Sequence, residues 1–222
     1  MQITIDSANV KIENGKVTID LNPEQLAALT CSNPEPWVYT SYTIKVELST
    51  LKPGDEFKIG DDVFIVLEQT FNGTRVISKK FVYKKTGFGD NSNWRLSPIR
   101  TKLNDEYFRK IADIIGEENI LTMNRDLTSL DGLDDYGTCN DKISLLSASE
   151  YAKYHKILGL SKFYPDWWWL ITPTSVPSNN FSKFICAVNK DGIIDCNSIE
   201  WPVSYRPILN LKSSILVPLN KD

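Results

Sequence analysis

Three short turn signals, Asn14-Gly15, Asn72-Gly73 and the stretch Asn189-Lys190-Asp191-Gly192, each lie between runs of alternating apolar and polar residues. A type I′ turn needs positive φ at both central positions, which Asn-Gly and Asp-Gly supply with little strain, so each signal closes an antiparallel hairpin. The first closure pairs Ile12 with Val17 and Val10 with Ile19 and puts all four on one face. Ile3 and Ile5 precede them in the same alternation. A helical turn follows, with Asn22 as N-cap, Pro23 at the first helical position, and Leu26 and Leu29 as its apolar contacts.

Ser32-Asn33-Pro34-Glu35-Pro36 then breaks any regular element, because each proline removes a donor and pushes its predecessor toward extended backbone. The chain therefore divides into an arm over 1–31, a linker and first strand over 32–50, and a domain over 51–222. An isolated hairpin is marginal, so the arm needs something to pack on. Two readings stand: it docks on another subunit or a larger assembly through Ile3, Ile5, Val10, Ile12, Val17, Ile19, Leu26 and Leu29, or it folds onto its own domain.

In the domain, Leu51-Lys52-Pro53-Gly54-Asp55 is a turn, Glu56 to Ile59 an alternating strand, and Asp61 to Leu67 a buried one that Asn72-Gly73 returns into Thr74–Ser78. After a polar loop from Thr86 to Ser92 and Trp94 comes a helix, for which Asn104 reads as the N-cap, Asp105 and Glu106 suit the positive end of the dipole, and Phe108, Ile111 and Ile115 form a stripe before Gly116. Ser147 and Glu150 make a capping box for a second helix carrying Tyr151, Tyr154, His155 and Leu158, with Gly159 at its end. Strands return over Trp167–Ile171, Phe184–Val188, Ile193–Cys196 and Tyr205–Leu211. Two short helices among antiparallel strands make an α+β domain.

Composition narrows function. Of 222 residues, 41% are apolar and 24% charged, with a net charge of −3; a slightly acidic chain without a Lys/Arg block does not fit nucleic acid as its main partner. No run of about 18 apolar residues suggests membrane insertion. A single histidine, His155, excludes poly-imidazole metal centres, and its place on the helical stripe reads as packing. Asp131-Gly132-Leu133-Asp134-Asp135 reads as a solvated turn rather than a calcium loop. No CxxC spacing occurs, so neither metal nor cofactor is expected.

The third hairpin leaves two registers open. A two-residue Asp191-Gly192 turn pairs Ala187 with Cys196, whereas a three-residue loop with left-handed Gly192 sets Cys186 directly across from Cys196. In both, free thiols are the expectation, because the chain begins without the pattern of a secretory signal and cytosolic thiols stay reduced. Cys31 and Cys139 have no evident partner.

Five blocks carry a family resemblance: Asn93-Trp94-Arg95-Leu96-Ser97-Pro98-Ile99-Arg100-Thr101-Lys102-Leu103-Asn104; Asp141-Lys142-Ile143-Ser144-Leu145-Leu146-Ser147 with Glu150; Trp168-Trp169-Leu170; Val188-Asn189-Lys190-Asp191-Gly192; and Tyr205-Arg206-Pro207-Ile208-Leu209-Asn210-Leu211. In order and spacing, over about residues 51–212, they resemble an uncharacterised domain family of Firmicutes and their phages. The resemblance implies a C-type-lectin-like domain of the formylglycine-generating-enzyme type, a fold that phage receptor-binding and hypervariable ligand-binding proteins share. The enzyme's paired cysteines have no match here, Ile171 stands where the family carries arginine, and the Glu-Pro-Asn and Trp-Asn-Asp sugar motifs of calcium-dependent lectins are missing. Fold does not fix function.

Arg100, Asn104 and Arg206 read as hydrogen-bonding anchors and Trp168 and Trp169 as scaffold. The contact residues expected for a ligand are Ser178, Asn179, Asn180 and Phe181 in the polar segment from Thr174 to Ser182, joined by Asn91 and Asn93 in one neighbouring loop and Asn197 and Trp201 in another. Short polar side chains with an aromatic are the chemistry of adaptable binding loops. The expected function is non-enzymatic: a phage virion component, whether decoration, fibre or receptor-binding protein, made in the host cytoplasm. Its arm would join virion or self subunits in a homo-oligomer, and its lectin-like domain would meet a host surface protein or glycan. The alternatives are a relative of the formylglycine-generating enzyme and an intracellular bacterial interaction module.

Overall fold

The computed structural model describes residues 10–13, 16–19, 45–82, 85–158 and 166–219. The chain divides into two compact units, Met1–Val46 and Glu47–Asp222. In the first, β1 (Val10–Glu13) and β2 (Lys16–Ile19) pair antiparallel, with Val10 opposite Ile19 and Ile12 opposite Val17, the register that a tight Asn-Gly turn dictates. Ile3, Ile5, Leu26, Leu29, the Asn14-Gly15 tip, Asn22, Pro23, Cys31, Trp37 and Gly159 lie outside the described residues. A short strand, β3 (Lys45–Glu47), crosses the boundary between the units.

The second unit is α+β, with antiparallel sheets. Its large sheet begins as a meander of β4 (Glu56–Ile59), β5 (Asp62–Thr70) and β6 (Gly73–Ser78). An extra residue between Val66 and Glu68 bulges β5 there, while by ordinary alternation Phe64 and Val66 serve one face and Leu67 the other. Gly73 sits at φ 137°, and a Cβ there would stand 2.5 Å from the Leu211 carbonyl oxygen. Only glycine fits that approach.

The first helix, α1, is a single run over 98–115 made of Pro98–Lys102, a π-helical turn Leu103–Tyr107, and Phe108–Ile115. This corrects the sequence expectation: the N-cap is Ser97, whose Oγ accepts from the Ile99 N–H at 3.2 Å with Pro98 in the first position, and Asn104 lies inside the helix. The helix is longer than the short element expected. Its buried stripe is Ile99, Leu103, Tyr107 and Ile111, with Phe108 and Ile115 only half-buried. Steps of four residues drift around an α-helix by about 40° each; the wider π-turn offsets part of that drift. Gly116, at φ 84°, ends the helix by donating to the Ala112 carbonyl at 2.8 Å.

Next come β7 (Ile120–Leu121), β8 (Met123–Asp126), β9 (Thr138–Asp141), β10 (Ile143–Ser144) and the helix α2 (Ala148–Leu158). The expected capping box forms: the Glu150 N–H donates to Ser147 Oγ at 3.2 Å and the Ser147 N–H to Glu150 Oε2 at 2.8 Å. The last strands are β11 (Trp168–Pro173), β12 (Phe184–Val188), β13 (Ile194–Ser198), β14 (Ile208–Leu211) and β15 (Leu216–Pro218). β10, β14, β6, β5 and β4 lie side by side in that order, with β7 also on β14, while β11, β12 and β13 make a separate sheet and β8 pairs β9. Leu67, Ile77 and Ile208 of the large sheet, Tyr151, Tyr154 and Leu158 of α2, and Trp168, Leu170, Cys186 and Val188 of the small sheet share one core.

Both tryptophans of β11 are fully buried although they point to opposite faces. Trp168 meets Tyr151 edge-on at 5.4 Å and the Arg206 guanidinium at 5.3 Å, and Arg206 Nε donates to the Ser78 carbonyl. Trp169 meets Phe88 at 5.7 Å and donates from Nε1 to the Thr86 carbonyl. His155 is half-buried with its ring edge-on to Tyr151. No helix among the described residues is long and apolar enough to cross a membrane.

Candidate functional site

Four loops meet beside the small sheet, and their backbones are tied to one another. The Ser92 N–H donates to the Ser182 carbonyl at 3.0 Å, Phe88 to Ile199 at 2.7 Å, and Ile199 to Lys183 at 3.1 Å. Ser92 Oγ and the Tyr136 hydroxyl lie 3.1 Å apart. Gly87 allows the closest of these approaches, since a Cβ there would sit 3.0 Å from the Ile199 carbonyl oxygen. The expectation that the loop before Trp94, the 174–182 segment and the 197–201 segment lie together is met. The acidic loop 131–135 joins them.

That acidic loop is the solvent-exposed turn expected, and two of its carboxylates also tie it to the neighbouring loop. Asp131 accepts from Ser175 Oγ at 2.5 Å, from Asn179 Nδ2 at 3.4 Å, and from the Ser129 hydroxyl. The Ser129 and Ser175 hydroxyls hold its carboxyl below the ordinary value. Asp135 receives both the backbone N–H and the Oγ of Ser178, at 3.1 and 3.0 Å. Nothing local in the sequence signals these ties, because the two loops are far apart along the chain. Among the described residues, no group of three His, Cys, Asp or Glu side chains is placed to hold a metal ion.

The loop from Thr174 to Ser182 is held by the other side of these bonds. A 3-10 turn at Pro177–Asn179 ends on Asn180, whose φ of 52° is the left-handed conformation that Asn tolerates better than most residues. Phe181 stacks on Phe184 with ring centroids 5.0 Å apart. Ser178, Asn179, Asn180 and Phe181 all reach the surface. Trp201 does so most prominently: it is 63% exposed, on a turn in which its N–H donates to the Ser198 carbonyl at 3.1 Å. Leu130, 54% exposed and held by an N–H bond to the Pro173 carbonyl, is a surface apolar residue on the adjoining loop that sequence reading did not single out.

The other expected contact residues serve the loops instead. Asn91 Oδ1 accepts from the Asn93 N–H at 2.9 Å, and Asn93 Oδ1 accepts from the Arg95 N–H at 3.0 Å, so each shapes its own turn. Asn197 is only 5% exposed; polarity suggested the surface, but the loops close over this end of β13.

Beneath this end lies a buried ionic joint. Asp141, with its side chain fully buried, accepts from Trp94 Nε1 at 2.7 Å and from Arg100 Nε at 2.7 Å. Asn104 stands next to it: its Oδ1 accepts from the Lys142 and Ile143 N–H groups at 2.9 and 3.0 Å, and its Nδ2 donates to the Ile143 and Arg100 carbonyls. Arg100, Asn104 and Arg206 are thus the hydrogen-bonding anchors expected.

Comparison with family models, with curated proteins and with solved structures finds no match to this chain. The fold and these loops define its class as an α+β domain of antiparallel sheets with an aromatic-bearing loop surface.

Proposed function

We propose that this chain is a binding protein rather than an enzyme, and that the four tied loops are its contact surface. The observation that carries the reading is Trp201, 63% exposed on a hydrogen-bonded turn of the same group of tied loops that brings Ser178, Asn179 and Asn180 to the surface. A large aromatic side chain with few rotatable bonds gives contact area at small entropic cost. Amide and hydroxyl groups around it suit a glycan, whose apolar ring face stacks on indole while its hydroxyls take hydrogen bonds. Loops on a rigid sheet are where binding residues concentrate.

The finer reading of the fold is a C-type-lectin-like domain. Its support is that the first two sequence blocks carrying the resemblance meet at Asp141 and Asn104, and that Arg206 of the last block stacks on Trp168 of the third. The same resemblance supports a phage virion component that displays this domain to a host surface, with the β1–β2 arm joining self or virion subunits in a homo-oligomer. The test is retention of the full chain on Gram-positive wall preparations containing peptidoglycan and teichoic acid. The reading expects saturable retention that free wall fragments compete away; retention indistinguishable from an inert protein of the same charge overturns it.

A further inference from the structure

Cys186 and Cys196 face each other directly across β12 and β13, which is the three-residue-loop register of the two that the sequence leaves open. Gly192, at φ 78°, supplies the left-handed residue of that loop, and its N–H donates to the Asn189 carbonyl at 3.0 Å. The ladder identifies what kind of pair this is. Asn189 donates to Ile193 at one end and Ile199 to Lys183 at the other, and hydrogen-bonded and non-hydrogen-bonded pairs alternate along an antiparallel ladder. The pairs 183/199, 185/197, 187/195 and 189/193 are therefore the hydrogen-bonded ones, and 186/196 falls between two of them as a non-hydrogen-bonded pair. At such a pair the Cα atoms approach to about 4.5 Å and both side chains project to the same face, which is inside the Cα range a disulfide spans, at its short end.

The two thiols differ in access. Cys186 is fully buried in the core shared with Tyr151, Trp168 and Val188, whereas Cys196 is exposed on β13, an edge strand. Both are free thiols. We propose that Cys186 and Cys196 form a redox-closable pair, in which solvent-facing Cys196 reacts with a small-molecule disulfide such as glutathione disulfide and Cys186 resolves it into a cross-strand disulfide.

The chemistry balances. Cys196 gives its proton to water, and its sulfur attacks one sulfur of glutathione disulfide. The S–S bond of the reagent breaks, and one glutathione leaves as thiolate and is protonated. Cys186 then loses its proton, its sulfur attacks Cys196 Sγ of the mixed disulfide, and the second glutathione leaves. Two protein thiols are oxidised by two electrons, and one glutathione disulfide is reduced to two glutathiones. Burial, with Cys196 alongside adding to it, pushes the Cys186 thiol up to about 12, so the second step is the slow one. A short non-hydrogen-bonded pair also leaves the product bond strained, and strained or exposed disulfides are the readily reduced ones. The pair therefore opens and closes rather than serving as a permanent staple.

The test exposes the native full chain to glutathione disulfide, quenches with acid, alkylates the remaining thiols and maps them by mass spectrometry. A chain with Cys31→Ser and Cys139→Ser removes the two other thiols. The expected result is transient glutathione on Cys196, then a peptide linked between 186 and 196 that dithiothreitol releases, with the linking step accelerating roughly tenfold per pH unit from pH 7 to 9. In Cys186→Ser the mixed disulfide on Cys196 is expected to persist, and in Cys196→Ser no glutathione is expected on Cys186. A permanent mixed disulfide in the native chain overturns the proposal. So does linkage that appears only in denaturant, or native Cys186 reacting first.

Discussion

Ser178 places both its backbone N–H and its Oγ on the carboxylate of Asp135, at 3.1 and 3.0 Å. One side chain thereby ties the 3-10 turn of the candidate contact loop to a loop from a different part of the chain. The tie carries no local sequence signature, yet it decides whether Asn179, Asn180 and Phe181 are presented in one arrangement or many.

Asp135→Ala is expected to loosen that loop without unfolding the domain. Amide exchange at Ser178 should quicken roughly fivefold to tenfold, and limited proteolysis within 176–182 should appear, while the exchange of β12 amides stays unchanged. Hydrogen exchange by mass spectrometry reads both.

Glu150 tests the joint between α2 and the sheets. Its Oε1 accepts from Arg125 Nη1 at 2.8 Å and Arg75 Nη1 at 2.6 Å, and its Oε2 accepts from the Ser147 N–H and from Arg125 Nη2. Burial alone would raise the Glu150 carboxyl, but the Arg125 hydrogen bonds and charge outweigh it and hold it below the ordinary value. Glu150→Gln leaves the buried Arg125 guanidinium underpaired and should cost about 3 kcal/mol at pH 7. A lowered folded value means the wild-type contribution is fully present above the unfolded carboxyl value of about 4.3 and is lost as pH falls through the folded one. The difference in Tm between wild type and Glu150→Gln should therefore shrink below about pH 4.3.

Asp141→Asn should cost about 2–3 kcal/mol, because one buried carboxylate serves both the Trp94 indole N–H and Arg100. An amide keeps an acceptor for one of them and leaves the guanidinium charge without its counter-ion. Arg95→Ala, on an exposed side chain of the same segment, should change stability by less than about 0.5 kcal/mol. Denaturant midpoints at constant slope distinguish the two.

Deleting residues 1–31 should lower the oligomeric state of the full chain in light scattering if the arm joins subunits, since a lone hairpin gains its packing surface from a neighbour. An unchanged mass with an unchanged elution volume would assign the arm no role in assembly.

The parts of this fold that are legible in sequence are those whose signals are local. Asn72-Gly73 announces the β5–β6 hairpin, although the pairing of Thr70 with Gly73 makes Phe71 and Asn72 the loop residues and leaves Gly73 alone at positive φ, and Ser147 with Glu150 announces α2 because a capping box closes within one turn. Asn104 misleads for the opposite reason. Followed by Asp105 and Glu106, it has the local look of a helix start, but its amide is used across the fold on Lys142 and Ile143, and Ser97-Pro98 does the capping. Asn197 misleads in the same way: a polar residue on a strand reads as exposed, and only the tertiary closure of the loops buries it. Of the candidate surface, the turn-forming asparagines and Trp201 are visible in sequence, whereas the Asp131 and Asp135 ties and the exposed Leu130 come from long-range contacts.

The most direct test of the contact surface is the affinity of Trp201→Ala for Gram-positive wall preparations, measured beside wild type with Tm as a control. Trp201 is largely exposed, so its truncation should leave Tm within about 2 °C of wild type. The account predicts that wild type binds saturably and that Trp201→Ala binds at least about tenfold more weakly, the loss of about 1.4 kcal/mol that an aromatic contact supplies. Equal binding by both proteins, or none by wild type, would contradict it.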